Sequence, residues 1–268
     1  METRNKTMRV WKLFQFVILT AVLTSVWGCS SDDDSDAVNY KKTTALQQPE
    51  WVIDLFSNDE PPSWTDPDLS QFENSMFLLI KLQPQLADYS TDDDKMACFI
   101  DNECRSVVAH RSVHDGDGSI YFAIKVLGNA IDRDITFELR YYSGGLHQLF
   151  SLSHTGSFIA EQTYGIDEDF EPDILAGSSK YPVHMNLCVS SDYLPFEVGE
   201  NDMVGVFING ECRGIGKADK AFYVLAYEEG EQAEIRYYSS LNNCIYTLKE
   251  KISIRQNSAA NAYEIRFK

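Results

Sequence analysis

Asp115-Gly-Asp117-Gly-Ser119 places side-chain oxygens at alternate positions, the arrangement in which a loop meets a hard cation such as Ca2+. Such a loop closes with a bidentate carboxylate at its twelfth position, and counting from Asp115 that position is Val126. The segment is therefore expected to be a glycine-rich turn. His110 and His114 stand four apart, a spacing that suits a shared metal on one helix face, but here they fall at a strand end and in a loop. Asp92-Asp93-Asp94 and, further on, Glu200 and Asp202 read as solvated turns. No Gly-x-Ser-x-Gly, His-Glu-x-x-His or phosphate-cradling glycine loop occurs, and no carboxylate pair is singled out twice. No catalytic residue, metal or cofactor is expected, and the chain reads as a non-enzyme.

Aromatic side chains offer a different chemistry, the stacking of a ring on a sugar face with a hydroxyl free to hydrogen-bond. Tyr141-Tyr142 and Tyr237-Tyr238 are neighbours on candidate strands, so the two members of each pair point to opposite faces of a sheet. One of each pair points away from the core unless a further layer covers it, which makes Tyr142 and Tyr238 candidate ligand contacts. Trp51 and Trp64 stand in a proline-containing stretch of low periodicity, residues 37–71. They are expected to pack on the first module as a lid, or else to serve as exposed stacking platforms.

The N-terminus carries an address. Arg4, Lys6, Arg9 and Lys12 precede an apolar run from Leu13 to Trp27, about fifteen residues and so short of the roughly twenty that span a bilayer. Ser25-Val-Trp-Gly-Cys29 resembles a lipobox, which implies cleavage before Cys29 and lipidation of its thiol. Several acyl chains on one cysteine, at roughly 0.8 kcal/mol per buried methylene, make a durable membrane anchor. The acidic run Ser30 to Asp36 resembles the export tag of Bacteroidota surface lipoproteins and cannot bury enough apolar surface to fold. An outer-membrane protein facing outside the cell is expected. Loss of the leader removes four cations and one anion, taking the formal charge from −18 to about −21. That balance excludes nucleic acid, which needs a basic surface, and polybasic attachment to anionic lipid.

These residues must be positioned by strands. Short runs rich in Val, Ile, Phe and Tyr are separated by Gly, Asn and Asp turns, with no amphipathic helix of useful length. The pattern also repeats. Met96 to Arg105 ends in Glu-Cys-Arg and leads to Arg140-Tyr-Tyr-Ser143, as Met203 to Arg213 ends in Glu-Cys-Arg and leads to Arg236-Tyr-Tyr-Ser239. Met76-x-Leu-x-Ile80 answers Met185-x-Leu-x-Val189. The expected fold is all-β, two tandem antiparallel β-sandwich domains of Ig-like or jelly-roll type. The expected divisions are a signal peptide over residues 1–28, a lipidated disordered linker over 29–48, a first module with its lead-in over 49–178 and a second module over 179–268. Residues 181–268 hold a full strand set and are expected to fold alone.

At the hairpin centre, Asn209-Gly210 is the preferred pair for a two-residue type I′ turn, with Asp101-Asn102 at the same place in the first copy. That register sets Phe207 opposite Cys212 and Phe99 opposite Cys104, on what is expected to be the core face. Cys98 then points away from Cys104, so no bridge is expected there. Cys188 and Cys212 remain open to pairing, with buried thiols the default.

The hairpin pattern Ala-x-Phe-x-x-x-Glu-Cys-Arg, with a segment such as Phe72-Glu-Asn-Ser-Met76 upstream, resembles a module found in Bacteroidota surface and secreted proteins, and the resemblance covers about residues 48–268. It implies a fold and a surface address but no activity. The function expected is that of a non-catalytic surface lipoprotein binding extracellular glycan. The alternative is a protein-binding or structural component of a surface assembly.

Overall fold

A computed structural model describes residues 38–257 and 261–268, with the side chains of His154 and Thr155 excepted. The leader, the lipobox with Cys29 and the acidic run to Asp36 lie outside the described residues. In chain order the strands are β1 (Tyr40–Thr44), β2 (Asn74–Lys81), β3 (Lys95–Ile100), β4 (Glu103–Cys104), β5 (Ala109–His110), β6 (Ser112–Val113), β7 (Ile120–Gly128), β8 (Thr136–Ser143), β9 (Gln148–Ser157) and β10 (Thr163–Tyr164). They continue with β11 (Val183–Val189), β12 (Met203–Ile208), β13 (Glu211–Gly216), β14 (Phe222–Ala226), β15 (Gln232–Ser239), β16 (Cys244–Leu248), β17 (Ile252–Ser253) and β18 (Tyr263–Ile265). The protein is all-β, and its sheets are antiparallel except where β10 joins β2 and β18 joins β11 in parallel.

Two strand sets pair in the same order. In the first, the sheet β10-β2-β7-β6 faces the sheet β4-β3-β8-β9, and in the second, β14-β11-β18 faces β16-β15-β12-β13. Alternation explains the facing. Met76, Leu78 and Ile80 of β2 are buried with Phe122, Ile124 and Val126 of β7 against Met96, Cys98 and Ile100 of β3. Phe122 and Tyr141 meet across that core with ring centres 5.6 Å apart. The second core repeats this with Met185, Leu187 and Val189 against Val204, Val206 and Ile208. At about 1.5–3 kcal/mol per fully buried large apolar side chain, these rows dominate the stabilisation of the sheets.

The hairpins obey their turn chemistry. Asp101 and Asn102 have φ of 48° and 64°, and Asn209 and Gly210 have 51° and 87°, the positive pairs a type I′ turn demands. Phe99 pairs with Cys104 and Phe207 with Cys212, as the two-residue register requires. The expected core face is corrected, however. It is Cys98 and Ile100, not Phe99, that belong to the core of the first set, and Val206 and Ile208, not Phe207, in the second. Phe99 and Phe207 face outward and are buried by something else. Cys98, Cys104, Cys188, Cys212 and Cys244 all carry free thiols.

The cover is the segment before β2. Its beginning, Tyr40–Thr44, lies in the stretch expected to be a disordered linker, yet forms β1, antiparallel to β16 with Tyr40 opposite Leu248 and Thr44 opposite Cys244. Tyr40 packs edge-on against Tyr246 at 5.4 Å, which fixes the strand by its one inward ring. The chain then crosses the outer face of β12, continues to the first set and ends at Asp66, whose carboxylate accepts from the Val108 amide at 3.0 Å. Residues 39–66 are thus a strap over both strand sets, and the second set takes its edge strand from the chain's far end. A piece comprising residues 181–268 lacks that strand and that cover.

Candidate functional site

The strap buries one phenylalanine in each set by the same device. Trp64 meets Phe99 edge-on at 5.7 Å, and Arg140 lies 3.9 Å from the same ring, held by Glu138 at 2.7 Å. Trp51 meets Phe207 at 5.6 Å, with Arg236 at 3.9 Å held by Glu234 at 2.6 Å. Each phenylalanine is therefore enclosed by a tryptophan and a guanidinium drawn to its π-face. Trp51 covers the second set, contrary to the expectation that both tryptophans lie on the first.

Three side chains, Asp59 of the strap and Lys180 and Tyr181 from the chain before β11, anchor it between these points. Asp59 accepts from the Leu149 amide at 2.8 Å and from the Ser179 hydroxyl. Lys180 donates to the Asp54 carboxylate at 2.8 Å and to the Phe56 carbonyl at 2.7 Å, and this bond holds the Asp54 carboxyl below its ordinary range. The Tyr181 hydroxyl donates to the Asp54 carbonyl at 2.7 Å.

The same strap removes two expected ligand contacts. Tyr142 is 1% exposed, with its hydroxyl 3.4 Å from the Asp59 carbonyl, and Tyr238 is 4% exposed, opposite Met203 in the face the strap crosses. Neither offers a ring to a ligand, because a layer the strand pattern does not announce covers both. Their partners Tyr141 and Tyr237 point inward and donate to Asp94 at 2.7 Å and Asp202 at 2.9 Å. These two aspartates, expected in solvated turns, are 0% and 3% exposed. Burial also drives both tyrosine hydroxyls well above their usual titration range.

Trp51 and Trp64 are both half-buried, and Trp51 lines a cleft whose lining does not include Trp64. A cleft of about 740 Å3 opens where the strap, the turn after β2 and the β13–β14 loop meet. That volume is typical of small-ligand sites. From the strap come Gln48, Trp51 and Val52; from the turn containing the short helix Pro84–Ala87 come Gln85, Asp88 and Tyr89; from the second set come Asn201, Met203, Lys217, Lys220 and Tyr223. Tyr89 is 38% exposed. The Tyr223 ring is held edge-on by His184 at 5.4 Å. Burial lowers the His184 pKa, against the opposing pull of Asp173. Beneath them Gln83 is committed, donating to Asp173 at 2.9 Å and accepting from the Leu175 amide at 2.9 Å. The cleft thus joins three aromatic rings to the amides of Gln85 and Asn201 and to the ions Asp88, Lys217 and Lys220.

Tyr89, Tyr223, Lys217 and Lys220 are not among the residues expected from sequence. Tyr223 alternates with core residues of β14 and the lysines sit in an ordinary polar turn, so no local signal marks them. His114 is paired with Asp117 at 3.0 Å, and the Asp117 carboxylate accepts from the Ser119 amide, which helps push it down to about 2. Among the described residues no three His, Cys, Asp or Glu side chains gather as a metal site.

No protein-family model matches the chain, and no curated protein matches it. Among solved structures the chain is similar to a leucine-rich repeat protein from Bacteroides thetaiotaomicron, at 10% identity and a TM-score of 0.23, over 72% of this chain. The chain spans 26% of that protein's length, and a likeness of this size carries no argument about fold or function.

Proposed function

We propose that the protein is a non-catalytic cell-surface lipoprotein, anchored through Cys29, that holds extracellular glycan in the cleft beside Trp51. The observation that carries this reading is the convergence of Trp51, Tyr89 and Tyr223 with the amides of Gln85 and Asn201 in one cleft of about 740 Å3. Apolar sugar faces stack on such rings while ring hydroxyls find amide partners. The two strand sets are read as two copies of one module, joined by a strap that completes the site between them.

The two tryptophans supply the test. Trp51→Ala should abolish retention of a glycan found by array screening of the full chain, whereas Trp64→Ala, which removes an equivalent cover away from the cleft, should leave it. Equal loss in both variants at unchanged melting temperature would defeat the cleft assignment. For the anchor, Cys29→Ala should yield protein lacking lipid by intact-mass analysis; a mature wild-type chain that starts elsewhere and carries no lipid would defeat it.

A further inference from the structure

We infer that the saccharide taken by the cleft is acidic, carrying a carboxylate or a sulfate ester that Lys217 and Lys220 engage. The inference rests on the glycan reading above and adds the ligand's charge. The chain is strongly acidic, with 41 Asp and Glu against 23 Lys and Arg. Most guanidinium groups are spent on carboxylates, Arg105 on Asp132, Arg111 on Asp92, Arg213 on Glu211 and Arg266 on Glu264 among them. Lys217 and Lys220 are exposed, line the cleft and belong to none of the ion pairs among the described residues. The carboxylate between them, Asp219, is turned to the Ser191 amide at 2.8 Å, which lowers its pKa and occupies it elsewhere.

Of the two acids that line the cleft, Asp202 is buried and spends its oxygens on Tyr237, Gly199 and Ser240, leaving Asp88 as the exposed one. The four ions lining the cleft sum to zero, but its exposed groups are two amines, Lys217 and Lys220, against one carboxylate, Asp88, on a molecule whose net charge is strongly negative. A neutral sugar would leave both ammonium groups to water. A carboxylate or sulfate would accept charge-assisted hydrogen bonds from them, in a partly enclosed site where such bonds are stronger than in bulk solvent. At physiological ionic strength charges beyond about 8 Å are largely screened, so remote carboxylates repel little while lysines at contact distance still attract. The same net charge discourages indiscriminate polyanion binding, so retention of an acidic polymer would report this cleft.

The experiment uses the full chain in detergent and glycans in matched pairs, polygalacturonate with its carboxyl-reduced galactan and chondroitin sulfate with desulfated chondroitin, read by calorimetry. The acidic member of at least one pair should bind about tenfold or more tighter than its counterpart, and the pair that responds tells carboxylate from sulfate. Lys217→Gln with Lys220→Gln should erase that preference without changing the melting temperature, because neither amine has an ionic or hydrogen-bond partner among the described residues. A preference that survives the double variant, or equal binding of both members of each pair, overturns the acidic inference and leaves the glycan reading standing. No binding of any member overturns both.

Discussion

The two Glu-Cys-Arg hairpins share their strands, their turn and their enclosed phenylalanine, yet their arginines do different things. Arg105 stays within its own strand set, donating to Asp132 at 2.9 Å and to Glu103 at 2.8 Å while lying 4.9 Å from the Phe72 ring. Arg213 pairs with Glu211 at 2.7 Å and lies between Tyr181 at 4.7 Å and Tyr227 at 4.2 Å. Tyr181 belongs to the first core and is itself bonded to the strap. One hairpin thus closes on itself, and the other fastens the second set to the first. The difference teaches that a repeated sequence pattern conserves the hairpin but not what its outward face meets.

The buried aspartates test where the two sets are equivalent, and the largest effects are expected there. Asp94 accepts from Tyr141, Ser90 and the Gly144 amide, and Asp202 from Tyr237, Ser240 and the Gly199 amide. Replacing either by Ala orphans buried donors at about 1–3 kcal/mol each, so a loss of about 3 kcal/mol or more is expected in both variants by urea denaturation. A cost confined to one of them would break the equivalence.

Gly205 probes where the sets differ. A Cβ there would stand 2.6 Å from the Trp51 indole and 2.9 Å from the Phe207 ring, whereas the first set carries Ala97 at the matching position. Gly205→Ala should cost about 1–3 kcal/mol through overpacking and should move Trp51 in the cleft, read as a shift in tryptophan fluorescence. An unchanged spectrum and stability would mean that the strap packs alike on both sets after all.

The turns sharpen the comparison further. A Cβ on Gly210 would touch nothing within 4 Å, but its φ of 87° resists a β-branched residue. Gly210→Val should cost about 1 kcal/mol or more, whereas Gly210→Asn, the residue type at position 102 of the first hairpin, should cost clearly less by thermal denaturation. Equal costs would show that the backbone conformation is not what selects glycine.

The smallest effect concerns the strap's ion pair. Lys180 depresses the Asp54 pKa, so the pair contributes stability above the unfolded carboxyl's pKa and loses it as pH falls through the lower folded value. The Asp54 side chain is 76% exposed, so screening keeps the contribution small. Asp54→Asn should lower the melting temperature slightly at neutral pH and not at all in strong acid. A difference that persists in strong acid would place the effect in the Asp54 backbone contacts instead.

Much of the architecture could be read from residue order alone because its causes are local. Alternation at Met76, Leu78 and Ile80 assigns a face without reference to the rest of the chain, and Asn209-Gly210 dictates its own turn. The hairpin register followed directly from that turn. Which face of the hairpin met the main core did not, since β3 and β12 are apolar on both sides and period-2 logic cannot choose between two buried faces. The strap lay beyond local reasoning for a related cause. It has no periodicity, and its partners are remote, Gln48 touching Met203 across 155 positions. Burial of Tyr142 and Tyr238, the donation of β1 to the second set and the cleft beside Trp51 all follow from where that irregular segment comes to rest. Contacts between distant segments are set by the shape of the assembled sheets, and that shape is not encoded in any short run of residues.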